Sequence, residues 1–214
     1  MNNLKKGDWV FDSKVAEDFL NIAQTNIPDY NRVIGLVIKI AKKYLNNDSK
    51  ILDFWSALWF TLENLYNNWF RNLYWVDSSI DMISRSFKWA NLVNSDKFPL
   101  NLWKFDFIIS NWTLHFIKDR ELYIKDMYDS LNEWGYLFIT EKILTSNMSE
   151  DLYHDFKRSM WLTDEEILKK KLSIEGVLIP KSLEWYLNIF NKTWFKNIDI
   201  VNAIPSFYSF LLKK

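Results

Sequence analysis

Residues 50–77 read KILDFWSALWFTLENLYNNWFRNLYWVD, and this stretch decides the fold. It contains two short apolar runs, at 50–54 and 72–77, with a segment of helical spacing at 57–66 between them. Strands this apolar, separated by a helix, are typical of a parallel sheet that is covered by helices on both faces. The stretch therefore predicts the first strand–helix–strand unit of a doubly wound α/β domain.

The same alternation continues along the rest of the chain. Its further segments are a helix at 79–90, a strand at 105–111, a helix at 119–132 and a strand at 135–141. Two last apolar runs, 195–201 and 206–212, flank a turn at 203–205 that is too short for a crossover helix, so they predict an antiparallel hairpin. We expect a Rossmann-like sheet that is mostly parallel, with this hairpin as its C-terminal edge.

Helical segments flank the predicted sheet. Two N-terminal helices are predicted within 13–46, the second of which begins at Pro28. The charged segment 147–192 contains TDEE at 163–166, which predicts a capping box at the start of a helix. Because this segment precedes the edge hairpin, we expect it to cover the carboxyl ends of the strands as a lid. The whole chain, 1–214, is expected to form one domain.

The composition narrows the class of protein. The 27 basic and 27 acidic residues cancel, so we expect a small-molecule substrate and no direct nucleic-acid partner. The absence of cysteine excludes disulfides, cysteine-type zinc sites and thiol nucleophiles, and no metal ligands are assigned. No apolar run has membrane-spanning length and the first residues lack the apolar stretch of a signal peptide, so we expect a soluble, cytoplasmic protein.

Polar side chains stand where three of the predicted strands end. Asp53 closes the first strand, Asp77 the second, and Asn111 the strand at 105–111. Ligands of open α/β sheets bind at the carboxyl ends of strands, where the strand order reverses, and an acidic residue ending the second strand can accept the hydroxyls of a ribose. The alternative is that each residue caps the following helix, which is a weaker explanation for all three in this order.

Tryptophan occurs at places that normally need glycine. The chain has 12 tryptophans and only 4 glycines, and the loop after Asp53 reads FWSALW (54–59) where the backbone must turn tightly beside a ligand. Trp55 and Trp59 should therefore crowd the pocket. Other tryptophans in turns before predicted strands, or in the strand beside the ligand, are Trp69, Trp75, Trp134 and Trp194.

These positions lead to a hypothesis about the gene. Replacing eleven tryptophans by glycine would add eleven to the 4 present and give 15 glycines, close to the usual share of about 7%. We hypothesise that UGA codons, glycine in the source, were read as tryptophan, with Trp9 genuine and Trp112 undecided. The alternative is an aromatic-rich protein that uses tryptophan in its core. The codons at issue are those of Trp55, Trp59, Trp69, Trp75, Trp134, Trp161 and Trp194.

Several sequence blocks together resemble one enzyme family. They are GDWVFD at 7–12, IPDY at 27–30, NWTLHF at 111–116, LNEWG at 131–135 and HDFKR at 154–158. With glycine allowed at the tryptophan positions, the chain resembles the carboxy-S-adenosyl-L-methionine synthases, a branch of the class I S-adenosylmethionine (SAM) methyltransferase fold. The resemblance extends from Gly7 to Leu212.

The resemblance implies an activity and a set of contacts. Such enzymes convert SAM and prephenate into carboxy-SAM and phenylpyruvate, and a partner enzyme uses the product to modify a wobble uridine of tRNA. The resemblance also implies a homodimer and chemistry without a side-chain nucleophile, so no catalytic residue is assigned and neither His115 nor His154 is given a role. The SAM contacts that it implies are Tyr30, Trp55, Ser56, Ala57, Asp77, Ser78, Asp96, Lys97 and Asn111, to which the strand-end argument adds Asp53.

One position departs from the family pattern. The family has an arginine in the second half of the lid helix to hold a carboxylate, and Lys171 stands there, which keeps the charge but loses the planar two-donor fork. Lys171 is the expected contact to the substrate carboxylate, with a solvated charge run at 169–171 as the alternative. Two other functions stay open: an ordinary SAM methyltransferase acting on a small molecule or tRNA, and a degenerate SAM-fold protein with a tryptophan-blocked pocket that binds a partner.

Overall fold

Seven strands and eight helices make up the described part of the chain. In this computed structural model the described residues are 6–7, 9–10, 12–55, 57, 59–83, 88–102 and 104–214. The strands are β1 (Ile51–Phe54), β2 (Leu73–Asp77), β3 (Asn91–Asn94), β4 (Phe105–Asn111), β5 (Leu131–Lys142), β6 (Asn197–Ile204) and β7 (Phe207–Lys213). The helices are α1 (Ser13–Asn26), α2 (Tyr30–Tyr44), α3 (Phe60–Asn67), α4 (Ile80–Ile83), α5 (Arg120–Ser130), α6 (Asn147–Ser159), α7 (Asp164–Ser173) and α8 (Leu183–Lys192), with a 3-10 turn at Leu114–Phe116. Within these ranges, no helix has both the length and the apolar character that a membrane span requires.

The seven strands form one sheet in the order β3-β2-β1-β4-β5-β7-β6. Strands β1 to β5 run parallel to one another, whereas β7 pairs antiparallel with both β5 and β6. The strand order reverses between β1 and β4, which leaves a crevice at the carboxyl ends of these strands. The predicted α/β architecture is confirmed: a doubly wound, mostly parallel Rossmann-like sheet with an antiparallel C-terminal edge.

Both faces of the sheet are buried, which explains why its strands read as continuous apolar runs. Successive side chains of a strand point to opposite faces. In β4, Ile108 packs in the cluster that includes α5 and α8, and Ile109 packs in the cluster that includes α2 and α3. Leu52 and Ile51 of β1 divide between the same two clusters. Tyr186 of α8 is fully buried in the first cluster, so α8 belongs to the helical cover of the sheet.

The N-terminal ends of two helices lie further along the chain than predicted. α2 begins at Tyr30 rather than at Pro28, because Asp29 has a left-handed backbone with φ of 57°. α3 begins at Phe60 rather than at residue 57, because Ala57 also has a positive φ, 59°, and belongs to the loop. The spacing of apolar side chains does not reveal such local backbone conformations. The ends of helices are therefore the least certain part of a helix prediction.

The edge of the sheet next to β2 also differs from the prediction. No strand is predicted at Asn91–Asn94, where β3 pairs with β2. β3 is short, largely exposed and has asparagine at both ends, so it shows no apolar run. Of the helix predicted at 79–90, only Ile80–Ile83 is observed as α4. Residues 88–90 form a turn and a bend instead of a helix, and residues 84–87 lie outside the described part of the chain. The predicted capping box at 163–166 is confirmed at the start of α7.

Within the described part of the chain, six tryptophans have the left-handed backbone that favours glycine. For a residue with a side chain this conformation costs roughly 1–2 kcal/mol. The predicted exposure and glycine-like backbone are confirmed for Trp69, Trp134 and Trp194, whose side chains are 70%, 61% and 73% exposed. Trp69 and Trp194 lie in turns, as predicted, whereas Trp134 lies within β5 rather than in a turn. The six φ values are 52° at Trp55, 74° at Trp69, 56° at Trp112, 68° at Trp134, 67° at Trp161 and 66° at Trp194.

Three helices end in the same hydrogen-bond pattern, with tryptophan in the position that follows the cap. After α3, the N–H of Phe70 donates to the carbonyl of Leu65 at 3.2 Å, and Trp69 lies just before Phe70. α6 and α8 end in the same way, at Trp161 and Trp194. This pattern is the Schellman motif, in which glycine is the usual residue at that position. At each of these three helix ends, the backbone therefore has the left-handed conformation that glycine usually provides.

Candidate SAM and substrate site

A cavity of about 300 Å³ lies at the carboxyl ends of the central strands. Residues of α1 and α4, such as Phe19, Ile22 and Met82, form an apolar side, and residues of α6 and α7 also line the cavity. The volume is at the lower end of the range for small-molecule sites, about 300–1,000 Å³. The cavity lies where the reversal of strand order predicts a ligand.

Asp77, the last residue of β2, is held by the loop that follows β1. The residue is 6% exposed, and its carboxylate accepts hydrogen bonds from the N–H groups of Ala57 (3.2 Å) and Ser79 (2.8 Å). Burial raises the pKa of Asp77, and the backbone N–H donors oppose that rise. A carboxylate can accept about four hydrogen bonds, so Asp77, which lines the cavity, keeps capacity for the hydroxyls of a ribose.

Asn111 ends β4 with both polar atoms of its side chain unsatisfied. The residue is 5% exposed and lines the cavity, and neither Oδ1 nor Nδ2 has a hydrogen-bond partner among the described residues. A buried polar group without a partner costs about 1–3 kcal/mol. The side chain is therefore set to bond with a molecule in the cavity, and an amide can both donate to a carboxylate and accept from an amine.

Tyr30 and Asp53 interact beside the cavity. Asp53 is fully buried in β1, and Tyr30 begins α2. Burial raises the pKa of Tyr30, and the charge of Asp53 raises it further, so the phenol stays protonated. The Tyr30 ring also stacks on Trp112, with centroids 4.7 Å apart, and both rings line the cavity. Together they give the site an aromatic wall next to Asn111.

Most of the predicted SAM contacts come together in the structure. The cavity lining includes Tyr30, Trp55, Ala57, Asp77, Ser78 and Asn111. Asp96 and Lys97 are exposed in the bend after β3 and are not among the lining residues. Asp53 is not among them either, because its side chain is fully buried within β1. Ser56 lies outside the described residues. Lys171 is exposed on α7, whereas its neighbour Lys170 lines the cavity. The role of Lys171 stays a prediction.

Trp55 occupies the loop where the fold needs glycine. Its indole lines the cavity, stacks on Phe54 with centroids 5.3 Å apart, and donates from Nε1 to the carbonyl of Ser95 at 3.3 Å. The prediction that Trp55 crowds the pocket is confirmed. The same prediction for Trp59 is wrong, because its φ is −66° and its half-buried side chain packs against the core near α2 and α3. Trp75 is fully buried in β2, and its indole nitrogen has no partner among the described residues.

Glu141 fixes the turn that follows Asn111, a role that the sequence does not reveal. The side chain is fully buried near the end of β5 and accepts the N–H groups of Thr113 (3.1 Å), Leu114 (2.8 Å) and His115 (2.8 Å). Hydrogen bonds to a charged acceptor are stronger than neutral ones, so this carboxylate holds the turn in place. The only sequence signal is an acidic residue at the end of an apolar strand, where a buried charge needs donors.

Comparisons with known proteins show the family to which the chain belongs. No family model matches the chain. The carboxy-S-adenosyl-L-methionine synthase of Nautilia profundicola is 31% identical over 95% of this chain and 94% of its own length. The chain belongs to the carboxy-S-adenosyl-L-methionine synthase family. The synthase of Aliivibrio fischeri is 29% identical over 92% of this chain and 89% of its own length.

Solved structures of SAM-dependent methyltransferases share the fold of this family member. The plantazolicin methyltransferase, solved in complex with SAH, matches with a TM-score of 0.69 and 12% identity over 94% of this chain and 90% of its own. A putative SAM-dependent methyltransferase of Methanococcus maripaludis matches with a TM-score of 0.66 and 16% identity over 96% of this chain and 94% of its own. The fold is that of the class I SAM methyltransferases.

As a member of the carboxy-SAM synthase family, this chain is a SAM-dependent transferase with SAM as its cofactor. The residues of the cavity fit that molecule. Asp77 would hold the ribose, because its buried carboxylate ends β2 and faces the cavity. Asn111 would hold the amino-acid end, because both atoms of its amide are unpartnered among the described residues.

Proposed function

We propose that this chain converts SAM and prephenate to carboxy-SAM and phenylpyruvate. The observation that carries the proposal is a cavity with two chemically different walls. One wall has Asp77 and Asn111, which suit SAM, and the other has Lys142 and Lys157, which suit a carboxylate substrate. The nearly end-to-end likeness to relatives named carboxy-SAM synthase supports the same pairing of substrates.

The proposed reaction needs the protein mainly for positioning. The methyl carbon of SAM gains the carbon dioxide that prephenate releases on becoming phenylpyruvate, and the methyl proton leaves with the hydroxide of prephenate as water. Asp77 and Asn111 fix one reactant, and the apolar side at Phe19, Ile22 and Met82 keeps bulk water away from the reacting carbon. Holding two reactants in one geometry can lower a barrier by about 7–11 kcal/mol.

An ordinary SAM methyltransferase is the second candidate. The observation that favours it is Lys171, which stands where the family has arginine and cannot make a two-donor contact to a carboxylate. A third candidate, a SAM-fold protein that only binds a partner, is favoured by the Trp55 indole in the cavity. Neither of these two candidates needs prephenate, whereas the proposed carboxy-SAM synthase does.

The proposal extends to the fate of the product. Carboxy-SAM would leave the cavity as a small molecule in the cytoplasm and would be used by a partner enzyme on a wobble uridine of tRNA, without tRNA binding by this chain. The equal numbers of basic and acidic residues support that division of work. We also propose a homodimer. Light scattering at the mass of one chain, 25.9 kDa, would contradict it.

The test is incubation with SAM in the presence and absence of prephenate, followed by mass spectrometry. The proposal predicts a product heavier than SAM by one carbon dioxide, formed only when prephenate is present, together with phenylpyruvate. Methyl transfer that ignores prephenate would favour the second candidate. SAM binding without any turnover, or no SAM binding at all, would favour the third.

A further inference from the structure

Three lysines from three separate elements meet at one wall of the cavity. Lys142 is the last residue of β5, Lys157 lies on α6, and Lys170 lies on α7. All three line the cavity. Lys157 is only 3% exposed, which is unusual for a lysine because burying an ammonium group is unfavourable without a counter-charge.

The positive charge at this wall exceeds the negative charge. Lys142 pairs with Glu150 at 2.9 Å, but no carboxylate of a described residue lies within 4.0 Å of the ammonium of Lys157 or Lys170. The rings nearby offer only weaker compensation, such as Tyr153, whose centroid lies 4.4 Å from Lys157 Nζ and 4.6 Å from Lys142 Nζ. The wall therefore has two lysine side chains, Lys157 and Lys170, that no carboxylate of a described residue pairs with and that can bind an anionic ligand.

The titration behaviour of the lysines agrees with this imbalance. Burial lowers the pKa of Lys157 to about 8, and the neighbouring Lys142 contributes to the fall. Burial lowers the pKa of Lys170 to about 7, and the charge of Lys157 contributes. An anion bound between them would favour the charged forms and reverse both shifts.

The lysine wall lies away from the position expected for the ribose. β2, which ends at Asp77, and β5, which ends at Lys142, are separated by β1 and β4 in the sheet. Three strand intervals of about 4.8 Å place the two strand ends roughly 14 Å apart. SAM held at Asp77 and Asn111 would thus lie over β2, β1 and β4, with the lysines beyond it.

We propose that Lys142, Lys157 and Lys170 bind the carboxylates of the second substrate, a small organic dianion that lies next to SAM. The inference rests on the proposed function, of which prephenate is one such dianion. It places the main carboxylate contact at the buried Lys157 rather than at the exposed Lys171. The carboxylate of SAM itself is the other source of the same chemistry, and the experiment below separates the two.

The test is calorimetry on the full chain, made with the residues that its natural source has at the tryptophan positions. Lys157→Met removes the charge and keeps the length of the side chain, and an apolar group suits a buried position, so the variant should fold. Lys169→Met is the matched control, because Lys169 is exposed on α7. Each protein is titrated with SAM alone, and then with prephenate and with malonate after saturation with S-adenosylhomocysteine, which has no methyl group to react.

The inference predicts that Lys157→Met weakens binding of both dianions at least tenfold, changes the SAM Kd less than twofold, and that Lys169→Met changes neither. An equal loss of SAM affinity would overturn it, because the lysines would then hold the SAM carboxylate. Unchanged dianion binding, or no dianion binding by the unmutated chain, would also overturn it. Lys157-dependent binding of malonate in a chain that neither binds nor consumes prephenate would support the dianion site while removing the proposed function.

Discussion

At the scale of single residues, two buried polar side chains are expected to hold SAM. One already accepts hydrogen bonds within the protein, and the other has no hydrogen-bond partner among the described residues. Asp77 already accepts two backbone N–H groups, from Ala57 and Ser79, and so ties the loop after β1 to the end of β2. The side-chain amide of Asn111 has no hydrogen-bond partner among the described residues, so we expect a ligand to supply its hydrogen bonds. Asp77 therefore contributes both to the shape of the site and to binding, whereas Asn111 contributes to binding.

Replacing Asp77 by alanine should weaken SAM binding by about 1–3 kcal/mol, the loss expected for a charged hydrogen-bond partner. The loop also loses an acceptor for the Ala57 N–H, so circular dichroism should accompany the calorimetry as a control for folding. A folded Asp77→Ala protein with the SAM affinity of the unmutated chain would contradict the assignment of the ribose to this residue.

The tryptophan hypothesis makes a prediction about the gene and the natural protein. The codons at Trp55, Trp69, Trp134, Trp161 and Trp194 should be UGA, since each residue has a positive φ that favours glycine. The same is expected at Trp59 and Trp75, with UGG at Trp9. Trp112, which the sequence left undecided, also has a glycine-like backbone, with φ of 56°.

The intact mass of the natural protein gives an independent measurement, because each glycine in place of tryptophan removes one indole side chain. A mass lower by several such side chains is expected. UGG codons at Trp55 and Trp59, with the full mass of the printed sequence, would contradict the hypothesis and favour the blocked-pocket protein.

At residue scale, the strand-end residues could be predicted because each is a polar residue at the end of an apolar run. The lysine wall could not be predicted. Lys142, Lys157 and Lys170 are distant in sequence, and a lysine inside a charged helix looks the same whether it faces water or a cavity. Only the packing of α6 and α7 over the end of β5 brings the three together.

At the scale of elements, three helices end with a tryptophan in a left-handed backbone conformation, which is strained for a residue with a side chain. α3, α6 and α8 all close with the Schellman motif, and the residue with the left-handed backbone is a tryptophan in each. Trp161 is 93% exposed, so its indole gains almost nothing from packing. The motif is retained because the helix-end hydrogen bonds and the following apolar residue fix the chain path.

Trp69→Gly, Trp161→Gly and Trp194→Gly should each raise the free energy of unfolding by about 1 kcal/mol, the order of the left-handed penalty for a residue with a side chain. Because the three residues lie at different helix ends, the gains should be roughly additive. Urea denaturation measures them. The matching alanine variants keep the penalty and should gain little, and equal gains for alanine and glycine would contradict the backbone argument.

The two helices α6 and α7 supply the remaining prediction at this scale. Lys171→Ala should reduce prephenate-dependent turnover much more than SAM binding, because the resemblance to the family implies a carboxylate contact at this position, in addition to the main contact proposed at Lys157. Lys171 also adds to the positive field at Lys157 and His154, so its loss weakens attraction of an anion even from an exposed position. Steady-state kinetics with varied prephenate would show the effect, and equal losses for SAM and prephenate would contradict it.

The elements themselves were largely predictable, because parallel strands buried on both faces leave unmistakable apolar runs. β1, β2 and β4 are observed within one residue of their predicted bounds. β3 was not predictable, because an exposed edge strand has no apolar pattern. The start of α3 was not predictable either, because it depends on the positive φ of Ala57.

At the scale of the whole molecule, the fold brings the residues expected to hold SAM and the three lysines of the lysine wall into the lining of one cavity. The SAM wall is built by the reversal of strand order in the first half of the chain. The lysine wall is built by the last parallel strand and the helices that follow it. With this division, a widely shared fold would hold the proposed second, anionic substrate next to SAM.

The origin of the new carbon tests this account most directly. Prephenate labelled with ¹³C in the carboxylate that it loses is incubated with SAM and the protein, made with the residues that its natural source has at the tryptophan positions. The account predicts carboxy-SAM that carries the label, with phenylpyruvate that does not, as measured by mass spectrometry. A methylated or unlabelled product, formed equally well without prephenate, would contradict it.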